Sequence, residues 1–161
     1  MPTDPLPAYQ PHNHAHCITG ALNEARSLCQ SRGVRLTPIR EKVLELVWQN
    51  HQPIGAYDIL AILAKKDDRP AQPPTVYRAL DFLQEQGLVH RIASINAYMG
   101  CPHPGENHKG CFLICENCRT TIEVDHSAIN QAVQSCADAH QFTIKESAIE
   151  LTGLCPNCKA T

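Results

Sequence analysis

Apolar side chains in the first half of the chain recur every three or four positions, in stretches separated by turn residues. Because this spacing gathers them on one face of a helix, the pattern predicts four helices. The first begins near Ile18 and ends at Gly33, and the second begins at Thr37-Pro38, where a hydroxyl and a proline favour helix initiation. The third covers roughly residues 55–65, and the fourth starts at Pro74-Thr75 and ends near residue 87.

Beyond the fourth helix the pattern changes to short runs of β-forming side chains. Residues 88–92 and 97–99 flank a polar turn, so they predict a β-hairpin. Several helices followed by such a hairpin are typical of a winged helix-turn-helix domain, in which the last helix enters the DNA major groove.

The remainder of the chain predicts a second domain. Residues 100–110 are rich in Gly, Pro and His, and we interpret them as a hinge. The pattern that follows predicts two strands, an amphipathic helix and a third strand, at residues 111–115, 121–124, 127–140 and 142–151. The predicted fold class is therefore α+β, with a winged helix-turn-helix domain at residues 18–99 and a small α/β domain at residues 111–161.

Residues 1–17 contain four prolines and a run of histidines without periodicity. We expect a disordered, His-rich tail there, and a weak metal-collecting segment is the alternative. No apolar run reaches the roughly 18–20 residues of a membrane span, and no secretory signal pattern is present at the N-terminus. A cytoplasmic location is the resulting expectation.

The net charge of −2 is unusual for a protein that binds nucleic acid. The charge is unevenly distributed, because residues 18–93 contain ten Lys/Arg and eight Asp/Glu, whereas residues 94–161 contain four and seven. The first half is therefore better suited to meet phosphate. DNA binding must depend on the placement of a few cations rather than on bulk charge.

Nine cysteines are many for a chain expected in a reducing compartment, where paired cysteines are more often metal ligands than disulfides. Cys115 and Cys118 form one CxxC pair, and Cys155 and Cys158 form another. Two such pairs complete a closed tetrahedral four-thiolate site, which predicts a structural zinc. Two redox-active dithiols are the alternative interpretation.

Further candidate ligands cluster around the hinge, between the hairpin and the second domain. They are His90, Cys101, His103, His108, Cys111 and Glu123. Mixed nitrogen, sulfur and oxygen ligands suit zinc, and a site between two domains couples metal binding to domain geometry. The remaining cysteines have no partners at metal spacing, and two of them, Cys29 and Cys136, are expected in the core.

Several segments in this order resemble the ferric uptake regulator (Fur) superfamily. They are RLTPIREKVLELV, GAYDIL, PPTVYRALDFLQEQGLVHRI and the two CxxC pairs, which together cover roughly residues 18–158. The segment before the first CxxC departs from the HHDH-like pattern of the iron regulators and peroxide sensors. Within the superfamily the chain is therefore most similar to the zinc uptake regulators (Zur).

The resemblance implies a zinc-responsive transcriptional repressor with two zinc ions per subunit. It implies that the regulatory ligands are His90, Cys101, His108 and Glu123, with His103 as a local competitor of His108. It also implies a homodimer, formed through the α/β domain, that binds an AT-rich palindromic operator. Tyr57 and Arg78 match DNA-contacting positions of the family, and Thr75 is a further expected contact to the DNA backbone.

Two other functions remain as alternatives. The first is an iron-responsive or redox/peroxide-responsive regulator of the same family, in which Cys101 and Cys111 oxidise. The second is a small zinc hydrolase using His90, His108 and Glu123. The hydrolase is disfavoured because no HExxH pair is present and four protein ligands leave no position for water. The chain is therefore not expected to be an enzyme.

Overall fold

The computed structural model describes residues 7–66, 71–106 and 110–160. Within those ranges it contains six α-helices, two short 3-10 helices (Pro7–Tyr9 and Ala93–Ile95) and five strands. The helices are α1 (His14–Ser31), α2 (Pro38–Val47), α3 (Ala56–Lys66), α4 (Pro73–Glu85), α5 (Ser127–Ala139) and α6 (Pro156–Lys159). The strands are β1 (Val89–Ile92), β2 (Ala97–Gly100), β3 (Gly110–Cys115), β4 (Thr121–Val124) and β5 (Ala148–Gly153).

The first four helices form one hydrophobic core, as their periodicity predicts. The side chains that are almost fully buried come from α2, α3 and α4, and include Val43, Leu44, Val47, Ile59, Leu63, Val76, Leu80 and Leu83. Helix α1 adds Ala25 and Cys29 to the same cluster. The Thr37 backbone takes the predicted cap position of α2, although its hydroxyl makes no capping hydrogen bond.

The hairpin predicted after the fourth helix is present. Strands β1 and β2 pair antiparallel, with His90 opposite Met99. Asn96, at φ 45°, closes the turn between them in the left-handed region that asparagine tolerates. An additional bridge from Ile54 to Tyr98 fastens this wing to the segment before α3. The N-terminal domain is therefore a winged helix-turn-helix.

The second domain is a three-stranded sheet with the order β4-β3-β5, in which β3 pairs antiparallel with β4 and parallel with β5. Helix α5 connects β4 to β5. The third strand begins at Ala148, later than the predicted residue 142. The reason is that Gln141 turns the chain at φ 54° and Phe142 N–H returns to the Ala137 carbonyl, which ends α5 instead of starting a strand.

The structure corrects two expectations: the residue at which α1 begins, and the burial of Cys136. Helix α1 begins at His14 rather than near residue 18, because the Asn13 side chain accepts a hydrogen bond from Ala15 N–H and caps it. Residues 14–17, which belong to the segment predicted to be a disordered tail, therefore lie in the first turn of α1. Cys29 is buried as expected, whereas Cys136 is exposed on α5.

The two domains meet across a continuous set of contacts. Ile92 of the wing packs with Phe112 and Ile114 of β3. The Glu150 carboxylate accepts hydrogen bonds from Ala93 N and Ser94 N at 2.7 and 3.0 Å. These contacts place the end of β1 against the sheet of the second domain.

Among the described residues, no helix is both long and apolar enough to span a bilayer.

Gly100 gives a direct test of how tightly β2 packs on the helical core. A Cβ at this position would lie 2.1 Å from the Trp48 ring. We therefore expect Gly100→Ala to lower the free energy of unfolding by about 1–3 kcal/mol, measured by denaturant titration. Gly20→Ala is the control, because nothing lies within 4 Å of its Cβ and alanine stabilises a helix interior by about 0.5–1 kcal/mol. If Gly100→Ala were as stable as the wild type, the close packing of Gly100 against Trp48 would be contradicted.

Candidate metal centres and DNA-facing surface

The four cysteines of the CxxC pairs converge on one point of the second domain. Cys115 ends β3, and Cys118 lies in the turn that follows. Cys155 and Cys158 lie at the start of α6 and within it. Their sulfur atoms all lie within 4.8 Å of one another. The cluster therefore joins the end of the first strand to the C-terminal helix, as the spacing predicts.

The distances within this cluster fit a bound zinc ion. Cys118 Sγ and Cys155 Sγ lie 3.7 Å apart. Zn–S bonds of about 2.3 Å in a tetrahedron place neighbouring sulfurs about 3.8 Å apart. The side chains present thus match a four-thiolate zinc site without rearrangement.

The local structure favours the thiolate form, which a metal requires, at two of the four cysteines, Cys115 and Cys118. Hydrogen bonds from the backbone N–H groups of Cys118 and Cys155 lower the pKa of Cys115 to about 6. The Thr120 hydroxyl lies 3.2 Å from Cys118 Sγ and lowers the pKa of that thiol. Cys118 and Thr120 belong to the tight turn after β3, where Arg119 adopts φ 64°, whereas the Cys155 N–H comes from the start of α6.

A second group of ligands lies at the junction between the domains. His90 projects from β1, Cys101 directly follows β2, and Glu123 projects from β4. His90 Nε2 and Glu123 Oε2 are 2.9 Å apart, and the Glu123 side chain is only 2% exposed. All three ligand atoms lie within 4.8 Å of one another. We call this group the junction site.

The chemistry of the junction site fits a cation. Burial, together with the nearby Glu123 carboxylate, raises the pKa of Cys101 to about 12. A divalent ion between the thiol and the carboxylate supplies the positive charge that favours both ionised forms. Nitrogen, sulfur and oxygen ligands together suit zinc.

The other candidate ligands of the hinge have different positions. His108 lies outside the described residues. The His103 side chain is exposed and does not belong to the junction group, although the His103 backbone hydrogen-bonds to Cys101. Cys111 is buried in β3 and is also outside the group.

A third group consists of His12, His14, Cys17 and His51. In the sequence, His12 and His14 belong to the segment expected to be a disordered tail, and Cys17 has no partner at metal spacing. The only signal in the sequence is the dense run of histidines near residue 12. The pairing with His51 depends on tertiary structure and has no signature in the spacing.

The side chains expected to meet DNA lie on the outer faces of α3 and α4. Tyr57 is 73% exposed, and Tyr77 is 37% exposed. Thr75 and Arg78 are also exposed, in the first turns of α4. Arg40, by contrast, stacks on the Phe82 ring at 3.7 Å and is part of the packing.

Comparison with known proteins defines the class. A sequence profile described as the ferric uptake regulator family matches residues 31–152. The chain therefore belongs to the ferric uptake regulator family. The zinc uptake regulation protein of Escherichia coli (strain K12) is 38% identical over 138 residues, which is 85% of this chain and 80% of that protein. The peroxide operon regulator of Bacillus subtilis (strain 168) is 28% identical over 137 residues, covering 85% of this chain and 92% of that protein.

Solved structures agree with this assignment. A zinc uptake regulator complexed with zinc and DNA matches with a TM-score of 0.83 and 37% identity, covering 89% of this chain and 95% of that one. Holo XcZur matches with a TM-score of 0.79 at 37% identity, covering 88% and 99%. Apo XcZur matches with a TM-score of only 0.53 at 36% identity, covering 88% and 97%. The overall structure of this chain is thus more similar to holo XcZur than to apo XcZur.

The four-cysteine cluster is tested by removing one sulfur. We expect Cys118→Ser to lose one metal equivalent per subunit and to unfold the second domain at lower temperature, because a structural zinc contributes folding free energy. Metal analysis and thermal unfolding measure the two effects. Cys136→Ser is the matched control, since Cys136 is exposed and outside the cluster. Unchanged metal content in Cys118→Ser would show that the cluster is not a metal site.

Proposed function

We propose that the protein is a zinc-responsive transcriptional repressor of the cytoplasm, which binds operator DNA as a zinc-loaded homodimer and controls genes of zinc uptake and homeostasis. The observation that carries the proposal is the junction site, where ligand atoms from both domains lie close enough together to share one cation. The similarity to zinc uptake regulators, including one complexed with zinc and DNA, supports the same function.

Two zinc ions per subunit have different tasks in this proposal. The ion held by Cys115, Cys118, Cys155 and Cys158 stabilises the second domain. The ion at the junction is held by His90, Cys101 and Glu123, with His108 as the fourth ligand. When bound, zinc supplies a double positive charge and a tetrahedral ligand geometry.

The residues of the chain convert that binding into a domain arrangement. His90 belongs to the wing, and Glu123 belongs to β4 of the other domain, so a shared ion fixes the distance between them. The backbone N–H of Cys101 donates to the Leu88 carbonyl at 3.0 Å, which holds the thiol between the two. The wing is thereby held to the second domain, with residues 18–99 moving as the DNA-binding unit and residues 100–110 as the hinge.

Homodimerisation through the second domain is supported by its surface. Phe142, Leu151 and Leu154 are each about half or more exposed, and β5 lies at the edge of the sheet. Burying such apolar side chains against a second copy is favourable. A dimer places two recognition helices one DNA turn, roughly 34 Å, apart, which suits an AT-rich palindromic operator.

DNA binding is assigned to the exposed faces of α3 and α4. Arg78 can form bidentate hydrogen bonds with guanine or contact phosphate. Tyr57 extends toward the thymine methyls or the DNA backbone, and Thr75 contacts phosphate. Redox sensing through Cys111 is disfavoured because that thiol is only 3% exposed, whereas reactive thiols require access to solvent.

The zinc dependence of DNA binding tests the junction site. We expect His90→Ala and Cys101→Ser to abolish the increase in operator affinity that zinc produces in the wild type, because the ion then loses its ligands from the wing. Fluorescence anisotropy with an operator selected from random DNA, across buffered free zinc, measures this. The matched controls are Cys136→Ser on α5 and His140→Ala at its C-cap. An unchanged zinc dependence in His90→Ala would overturn the sensory assignment.

The DNA-facing residues are tested at constant saturating zinc. We expect Arg78→Ala and Tyr57→Ala each to weaken operator binding by about 1–3 kcal/mol, while metal content stays at the wild-type level. Lys145→Ala in the second domain is the control for the loss of a positive charge. If both variants bind operator as the wild type does, another surface reads the DNA.

A further inference from the structure

The third group of ligands lies where the N-terminal segment meets the loop between α2 and α3. Three of its members, His12, His14 and Cys17, precede residue 31, where the family match begins. Their ligand atoms and that of His51 all lie within 4.8 Å of one another. We propose that these four side chains form an additional metal site, with zinc as the fitting ion, that fastens the N-terminal segment to the DNA-binding domain.

The local sequence brings three of the ligands to one side of α1. Asn13 caps the helix, so His14 is its first residue. Cys17 follows three positions later, and residues at this spacing are neighbours on a helix surface. His12 lies just before the cap, and the three side chains meet His51 from the loop after α2. The site therefore depends on the helix start that the Asn13 cap defines.

The hydrogen bonding of His12 leaves its second nitrogen available to a metal. His12 Nδ1 lies 2.9 Å from the Gln10 carbonyl, which only accepts hydrogen bonds, so Nδ1 is the donor. In the neutral ring Nε2 then carries the lone pair. Metal-ligating histidines are commonly oriented in this way by a backbone carbonyl.

The distances agree with ligation. His12 Nε2 and His51 Nε2 lie 3.1 Å apart, and Zn–N bonds of about 2.0–2.1 Å in a tetrahedron place neighbouring nitrogens about 3.3 Å apart. His14 Nδ1 is buried without a hydrogen-bond partner among the described residues. A bound ion would provide the partner that this nitrogen lacks.

The ligand types of the group fit zinc. Three imidazole nitrogens and one cysteine sulfur are a donor set typical of zinc, and the sulfur disfavours Mg²⁺ and Ca²⁺.

The position of the group gives the site a mechanical consequence. The His51 carbonyl accepts a hydrogen bond from Thr121 N at 2.9 Å, and Thr121 lies two positions before Glu123 of the junction site. The Tyr9 carbonyl accepts a hydrogen bond from Asn157 Nδ2 at 3.0 Å, beside the four-cysteine cluster. A metal at this site would hold the N-terminal segment in a position from which it contacts both domains.

The test counts metal ions in full-length protein that lacks the junction site, His90→Ala/Cys101→Ser. This background is expected to bind two zinc equivalents per subunit, one at the four-cysteine cluster and one at the new site. Adding His14→Ala should reduce the count to one. Adding His16→Ala should leave it at two, because His16 is exposed beside the group without belonging to it.

A second measurement follows the rate at which the Cys17 thiol is alkylated. No Lys or Arg precedes Arg26, so a single tryptic peptide reports alkylation of Cys17, and the peptide of residues 120–145 reports the exposed control Cys136. Zinc should protect Cys17 from alkylation but not Cys136, and His51→Ala should remove the protection. Equal metal counts in the His14→Ala and His16→Ala proteins, or alkylation of Cys17 that zinc does not slow, would overturn the proposal. Neither result would bear on the junction site, which this background lacks.

Discussion

The burial of the Glu123 carboxylate is the constraint on which the arrangement of the two domains depends. A side chain only 2% exposed cannot keep a negative charge at low cost unless a positive charge lies beside it. The His90 imidazole, 2.9 Å away, is one such partner, and a cation held by His90, Cys101 and Glu123 would be another. Because the three residues come from both domains, the group that neutralises Glu123 also fixes where the wing lies.

The four-cysteine cluster has a different physical role, although it is the more recognisable metal site. All four of its ligands belong to the second domain, so an ion there stabilises that domain without linking it to the DNA-binding domain. Its turn geometry already favours thiolate, as the lowered pKa of Cys115 shows. At the junction, by contrast, burial and the nearby Glu123 carboxylate raise the pKa of Cys101 to about 12, so a metal there would have to displace a tightly held thiol proton. Sensing requires a site whose occupancy follows the metal concentration and is coupled to the functional state, and only the junction has ligands in both domains.

Much of this could be predicted from the sequence, because helical periodicity and CxxC spacing are local signals. The winged helix, the sheet of the second domain and the convergence of the four cysteines follow from them. The junction site could be anticipated only through the family resemblance, since His90 and Glu123 are distant in sequence. The sequence pattern predicts that α1 begins near residue 18, which is later than His14, because the Asn13 cap lies within a proline-rich segment. The sequence pattern predicts that β5 begins at residue 142, which is earlier than Ala148. The reason is that the alternation of apolar side chains continues through the turn at Gln141.

The grouping of His12, His14 and Cys17 with His51 shows where prediction from sequence ends. Each residue alone resembles a solvated side chain, and only the packing of α1 beside the loop after α2 brings them together. Local sequence patterns are likewise insufficient to predict how the two domains lie in the overall structure. The overall structure is more similar to holo than to apo XcZur, with TM-scores of 0.79 and 0.53, and no local pattern encodes that difference.

The most direct measurement of the central claim is operator affinity as a function of zinc bound per subunit, in protein whose four-cysteine cluster is already filled. We expect weak DNA binding with that first ion alone and a steep rise in affinity as the junction site fills. Full operator affinity with only the four-cysteine ion bound would contradict the assignment of the sensory role to His90, Cys101 and Glu123.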